Sequence, residues 1–186
     1  EDRLRLRAEF DTLTGLPNRT SFVEQLQQAM ARATRSGSVA LLFVDIDHFK
    51  TVNDTHGHEA GDQVLKVYAA RMRECVRQSD TVARLAGDEF TVILESLRGA
   101  EDAKALAGEL VEMLRVPIAL RSNLLVVTAS VGVAMQRDGE TYDAEVLRRA
   151  DVALYEAKRR GRNGFFCEEV DTSAGPPGTL IESFLP

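Results

Sequence analysis

The sequence predicts an α+β fold, a mixed central β-sheet with helices packed on it, on three observations. Thr81 to Glu95 (TVARLAGDEFTVILE) reads as a β-hairpin. Phe90, Val92 and Leu94 fall on one face, Thr91, Ile93 and Glu95 on the other, and the small pair Ala86-Gly87 marks a tight reversal. Val39 to Val44 (VALLFV) is an unbroken apolar run of strand length, which suits a strand buried on both faces. Around these strands apolar residues recur at helical spacing, so strands are separated by helices and one strand pair is local.

The elements follow in order. Glu1 to Phe10 (EDRLRLRAEF) is charged with a few apolar positions and is predicted helical. It is either a solvated lead-in or the end of a signalling helix that pairs two copies, and ten residues are too few to establish a heptad. Gly15 and Pro17 break the chain, and Asn18 is placed to cap a helix whose stripe is Phe22, Leu26, Met30 and Ala33. Asp47 to Thr55 reads as a short helix broken at Gly57. Gly61-Asp62 opens a longer one, with Leu65, Tyr68, Met72 and Val76 inward. Ala103, Leu106, Leu110, Met113 and Leu114 form a further stripe ended by Pro117. Asn123 to Met135 is apolar on both faces and reads as one central strand. Val146, Ala150, Leu154 and Ala157 mark the last helix before Gly161, and Phe165-Phe166 the last strand. The tail from Asp171 (DTSAGPPGTLIESFLP) loses periodicity and reads as linker.

Length and composition bound the function. A chain of 186 residues, 44% hydrophobic and 28% charged, suits one domain with its own core. A net charge of −6 argues against general nucleic-acid binding, which relies on cationic neutralisation of phosphates. Cys75 and Cys167 lie far apart without metal spacing and read as reduced thiols of a cytosolic protein. Neither a membrane span nor a signal peptide is predicted, and a chain that starts at Glu1 is expected to be part of something longer.

The chemistry is concentrated in acids at strand ends. Asp88 and Glu89 follow the hairpin tip directly, and Asp45 and Asp47 follow the apolar run. Adjacent carboxylates beside apolar strands are costly to bury unless a cation compensates them; the alternative is a solvated hairpin end. If the two strands are neighbours, Asp45 and Asp88 converge. Carboxylate and carbonyl oxygens suit Mg²⁺, which keeps waters and completes its shell with phosphates, and such strand-end carboxylates are what two-metal nucleotidyl transfer needs.

AGDEF at Ala86 to Phe90 closely resembles the GGDEF signature of diguanylate cyclases, departing only at Ala86. The likeness extends to DTLTGLPNR (Asp11 to Arg19), DIDHFKTVNDTHGHEAGDQVL (Asp45 to Leu65) and ADVALYEAKRRGRNGF (Ala150 to Phe165), so it covers Asp11 to Cys167. The resemblance implies the palm-like nucleotidyl-cyclase fold over 11–167, with 1–10 as the end of a signalling or linker helix and 168–186 as a tail. It implies a cyclase joining two GTP into cyclic di-GMP across a homodimer, in the bacterial cytoplasm or the cytosolic part of a larger sensor. No nucleic acid and no direct membrane contact are expected. Mg²⁺ (two ions per half-site, with Mn²⁺ as an alternative) is assigned to Asp45, the Ile46 carbonyl and Asp88, with Glu89 for the second ion. Asp88 and Glu89 are the catalytic carboxylates. Guanine falls to Asn53 and Asp62, the phosphates to Lys50, Lys158 and Arg162, and Phe49, His58 and Gly87 are placed at the nucleotide. Arg77 and Asp80 match the family's RxxD product-inhibition site, which ends five residues before the signature.

Each assignment has a plainer counterpart. Lys50 can be merely solvated, and Lys158 and Arg162, four apart on one helix face, can simply complement a helix C-terminus. Asn53 and Asp62 can be turn or cap residues and His58 structural. Arg77 and Asp80 can form a surface ion pair. A carboxylate at 62 accepts from both N1–H and the N2 amine of guanine, donors that adenine lacks, so Asp62 argues against relaxed base choice. The alternative function is a weak or inactive module that binds GTP or cyclic di-GMP. Its support is Ala86, whose methyl would crowd the nucleotide or strain a positive φ.

Overall fold

Helices and strands follow the expected alternation in a computed structural model that describes residues 9–36, 38–121 and 123–168. The elements are α1 (Arg19–Ser36), β1 (Ser38–Ile46), α2 (Phe49–His56), α3 (His58–Cys75), β2 (Thr81–Ala86), β3 (Glu89–Leu97), α4 (Ala100–Leu114), β4 (Ile118–Ala119), β5 (Leu124–Leu125), β6 (Ala129–Met135), α5 (Asp143–Arg159) and β7 (Gly164–Cys167). The main sheet runs β2-β3-β1-β6-β7. β1 is central and antiparallel to both neighbours, whereas β7 runs parallel to β6, so the sheet is mixed.

Strand pleating divides the core. Leu42 and Val44 of β1 point to the face shared with Phe90, Val92, Tyr68, Met72 and Leu110. Leu41 and Phe43 point to the opposite face, where α1 and α5 bring Phe22, Leu26, Val146 and Leu154. The six-residue apolar run is therefore buried on both sides, which is why it lacks alternation. Asn18 caps α1 as expected, its Oδ1 accepting from the Ser21 N–H at 3.1 Å.

Three expectations change. Asn123–Met135 is not one strand: β5 pairs with β4 in a separate two-stranded sheet, and only Ala129–Met135 enters the main sheet. The apolar sequence concealed the division because Leu124 and Val126 are 72% and 62% exposed. Helix α3 begins at His58 after the left-handed Gly57, so Gly61 and Asp62 lie inside it. Helix α5 ends at Arg159, and Arg162 follows at φ 64°, so Lys158 and Arg162 do not share a helix face. Residues 1–8 and the tail lie outside the described residues. Cys75 and Cys167 form no disulfide, and among the described residues no helix is long and apolar enough to cross a membrane.

Candidate active site

The β1–β3 register places Asp45 opposite Glu89, so the two acidic strand ends do meet. Asp88 sits between Glu89 and the hairpin tip. The tip needs one left-handed residue, and that residue is Gly87, at φ 47°. Ala86 is the exposed last residue of β2, paired with Glu89, and has no positive φ. The expected backbone strain at Ala86 is thus absent, because the second small residue of the pair takes the turn.

The electrostatics of this corner are unbalanced. Asp45 has a side chain only 15% exposed; its Oδ2 is held by the Lys158 ammonium, and its Oδ1 is buried without a protein donor. Burial pushes the Asp88 carboxyl up to about 7, reinforced by sharing a hydrogen bond with Asp45 and by the charges of Asp45 and Glu89. Burial and the Asp45 charge also raise Glu89; Arg19 and Lys158 oppose that rise, and Asp151 adds to it. The carboxylates of Asp45, Asp88, Glu89 and Asp151 thus outnumber the two cations that reach them, Lys158 and Arg19. Among the described residues no three acidic, His or Cys side chains close into a ready-made metal cage. The donor set instead fits an ion that keeps waters and completes its shell with phosphates, and no protein donor competes for Asp45 Oδ1. Ile46 has a buried side chain, so its backbone is the polar group it can offer.

Asp47 belongs to a different environment. It is buried and accepts from Thr128 Oγ1 (2.6 Å), Ser130 Oγ (2.6 Å) and the Asn163 N–H (2.9 Å). It ties the end of β1 to β6 and to the loop before β7.

Beside the carboxylates, α2 and α3 meet closely. A Cβ built on Gly61 would lie 1.9 Å from Asn53 Oδ1 and 3.2 Å from the Phe49 ring, so only glycine lets these side chains lie against α3. Asn53 Oδ1 is buried against Gly61 and has no protein donor. His58 and Asp62 are exposed in the first turns of α3. Neither Asn53 nor Asp62 caps a helix, because Gly57 precedes α3 and no side chain caps it. Lys50 is exposed on α2.

Arg77 and Asp80 are not paired through their side chains. Asp80 accepts from two backbone N–H groups, Arg77 at 2.9 Å and Glu95 at 3.1 Å, which ties the turn to β3. The exposed Arg77 instead borders a cavity of about 490 Å³ with Gln25, Arg73, Asp80 and Thr81. Sequence reading passed over Arg84, whose guanidinium bridges Asp11 and the Gly87 carbonyl. Its one signal was a charge inside an otherwise apolar strand.

The sequence model of the family described as "Diguanylate cyclase, GGDEF domain" matches residues 8–164. The chain belongs to the GGDEF family. It is 44% identical over 171 residues to the cyclic di-GMP phosphodiesterase NbdA of Pseudomonas aeruginosa, covering 90% of this chain and 22% of that protein. It is 44% identical over 165 residues to the diguanylate cyclase DgcP of the same organism, covering 86% and 24%. The GGDEF chain thus spans about a quarter of the length of these curated relatives. Among solved structures, the coiled coil and GGDEF domain of DgcB from Caulobacter crescentus, in complex with c-di-GMP, matches with a TM-score of 0.82 at 35% identity. That match covers 90% of this chain and 89% of the other.

Proposed function

We propose that residues 11–167 form a diguanylate cyclase domain that condenses two GTP into cyclic di-GMP and two pyrophosphates. The observation that carries this reading is the convergence of Asp45, Asp88 and Glu89 at neighbouring strand ends with too little positive charge among them. Asp45, the Ile46 carbonyl and Asp88, with Glu89 for a second ion, would hold Mg²⁺ or Mn²⁺, which would supply Lewis-acid stabilisation of the ribose oxygen and phosphate charges. Asn53 and Asp62 hold the guanine edge: Asn53 Oδ1 is already without a donor, and Asp62 accepts from N1–H and N2. Phe49, His58 and Gly87 border the nucleotide, while Lys50, Lys158 and Arg162 neutralise the triphosphate. Asp88 accepts the 3′-hydroxyl proton as that oxygen bonds to the α-phosphorus and the bond to pyrophosphate breaks. One domain holds one GTP, so a second copy must face it. Product binding at Arg77 and Asp80 lowers the rate; the accessible fork of Arg77 grips guanine and phosphate.

The experiment is incubation of the purified chain with Mg²⁺ and GTP, followed by separation of the products. Cyclic di-GMP should appear, the rate should fall as it accumulates without recovery on adding GTP, and Arg77→Ala should remove that fall. Absence of cyclic di-GMP even at high protein concentration overturns the cyclase reading. One observation then favours the second reading, a module that binds GTP or cyclic di-GMP and regulates a neighbouring domain: a relative 44% identical to this chain is named a phosphodiesterase.

A further inference from the structure

We propose that Arg84 is a positioning residue that fixes the hairpin tip carrying Asp88 and couples it to the turn at Asp11–Pro17. The side chain is 12% exposed although charged, and its planar donors are divided between two acceptors. Nε and Nη2 both donate to the Gly87 carbonyl, at 2.9 and 2.8 Å. Nη1 donates to both Asp11 oxygens, at 3.1 and 3.0 Å. The Arg84 backbone N–H donates to the Pro17 carbonyl at 3.0 Å, so strand and side chain grip both ends of the same turn.

That turn is a self-bound unit. Asp11 Oδ2 accepts from the Thr14 N–H and hydroxyl, at 2.8 and 2.6 Å, and the Asp11 N–H donates to the Leu16 carbonyl at 2.7 Å. Gly87 is left-handed and stands immediately before Asp88. Because the peptide is planar and trans, holding the Gly87 carbonyl toward the guanidinium turns the Asp88 N–H to the opposite side. There it meets the Asp88 carboxylate itself. Arg84 therefore sets the plane of the peptide from which the Asp88 side chain departs, and a displacement of the Asp11 turn reaches that peptide through one rigid group.

The inference rests on the reading of Asp88 as a metal-binding and catalytic carboxylate, and its test has one arm independent of that reading. Amide order parameters at Gly87 and Asp88 should be near 0.85 in the parent chain and fall below about 0.6 in Arg84→Gln and Asp11→Asn, while β6 stays rigid. Asp11→Asn serves if Arg84→Gln does not fold. In calorimetry of GTP binding, both variants should raise the Mg²⁺ concentration for half-effect by about tenfold, in keeping with the loss of one charge-assisted hydrogen bond. GTP binding without Mg²⁺ should change little. Arg84→Lys should rescue neither readout, because an ammonium cannot serve both acceptors in one plane. A tip that stays rigid in both variants, or full rescue by Arg84→Lys, overturns the clamp. If the parent chain shows no Mg²⁺-dependent GTP binding, the site reading falls while the order parameters still decide the role of Arg84.

Discussion

Asp45 and Asp47 leave the same strand two residues apart, yet they end in opposite environments. Around Asp47, two hydroxyls and a backbone N–H are aimed at the carboxylate. Around Asp45, one oxygen is held by Lys158, the other has no donor, and the nearest polar neighbours are further carboxylates. The first arrangement is what a buried charge needs in order to stabilise a fold. The second costs stability, and such a cost is kept where a ligand's charge completes the site. On the proposed reading, satisfied and unsatisfied acids separate fold from function within three residues of chain.

The sharpest way to break this contrast is to remove charge at each side. Asp88→Asn should lower cyclic di-GMP formation by more than about 100-fold, as expected on losing a positioned catalytic carboxylate, with melting unchanged or raised. Near-normal turnover would show that the metal has been misplaced. Asp47→Ala should act the other way, costing about 1–3 kcal/mol of stability because the Ser130 hydroxyl is left buried and unpaired and the ties to Thr128 and Asn163 are lost. A denaturant titration measures that loss, and an unchanged midpoint would remove Asp47 from the structural side. Asp62→Ala should weaken GTP binding by about tenfold and leave ATP binding nearly unaltered, since the lost donors belong to guanine. Equal losses for both nucleotides in calorimetry would end the guanine reading. Ala86→Gly should have the smallest effect: a rate no lower than the parent's, and stability lower by about 0.5–1 kcal/mol, because position 86 is extended strand rather than turn.

The same contrast explains what the sequence could reveal. The hairpin and β1 were legible because apolar runs of strand length, one of them beside a small-residue tip, are local signals of strands, and both β1 and β3 are buried on both faces. The meeting of Asp45 with Asp88 and Glu89 followed once those strands were taken as neighbours. The roles of Asp45 and Asp47 could not be told apart, because the donors to Asp47 lie 81, 83 and 116 residues away in sequence. The role of Arg84 was hidden for the same reason: a charge in an apolar strand was visible, but its acidic partner is 73 residues distant. Residue type also left open which of Ala86 and Gly87 takes the left-handed turn. The break inside 123–135 was hidden because Leu124 and Val126 are apolar yet exposed.

The most direct measurement is thermal melting of the parent chain and Asp88→Asn, each with and without Mg²⁺ and GTP together. Saturation at about 100 times the dissociation constant is worth about 2.7 kcal/mol, several degrees for a domain of this size. If the acids of Asp45, Asp88 and Glu89 await a cation and its nucleotide, the parent should gain those degrees. Asp88→Asn should melt at or above the ligand-free parent and lose most of the gain. A parent chain indifferent to Mg²⁺ with GTP, or an Asp88→Asn protein that melts lower and gains as much, would contradict the account.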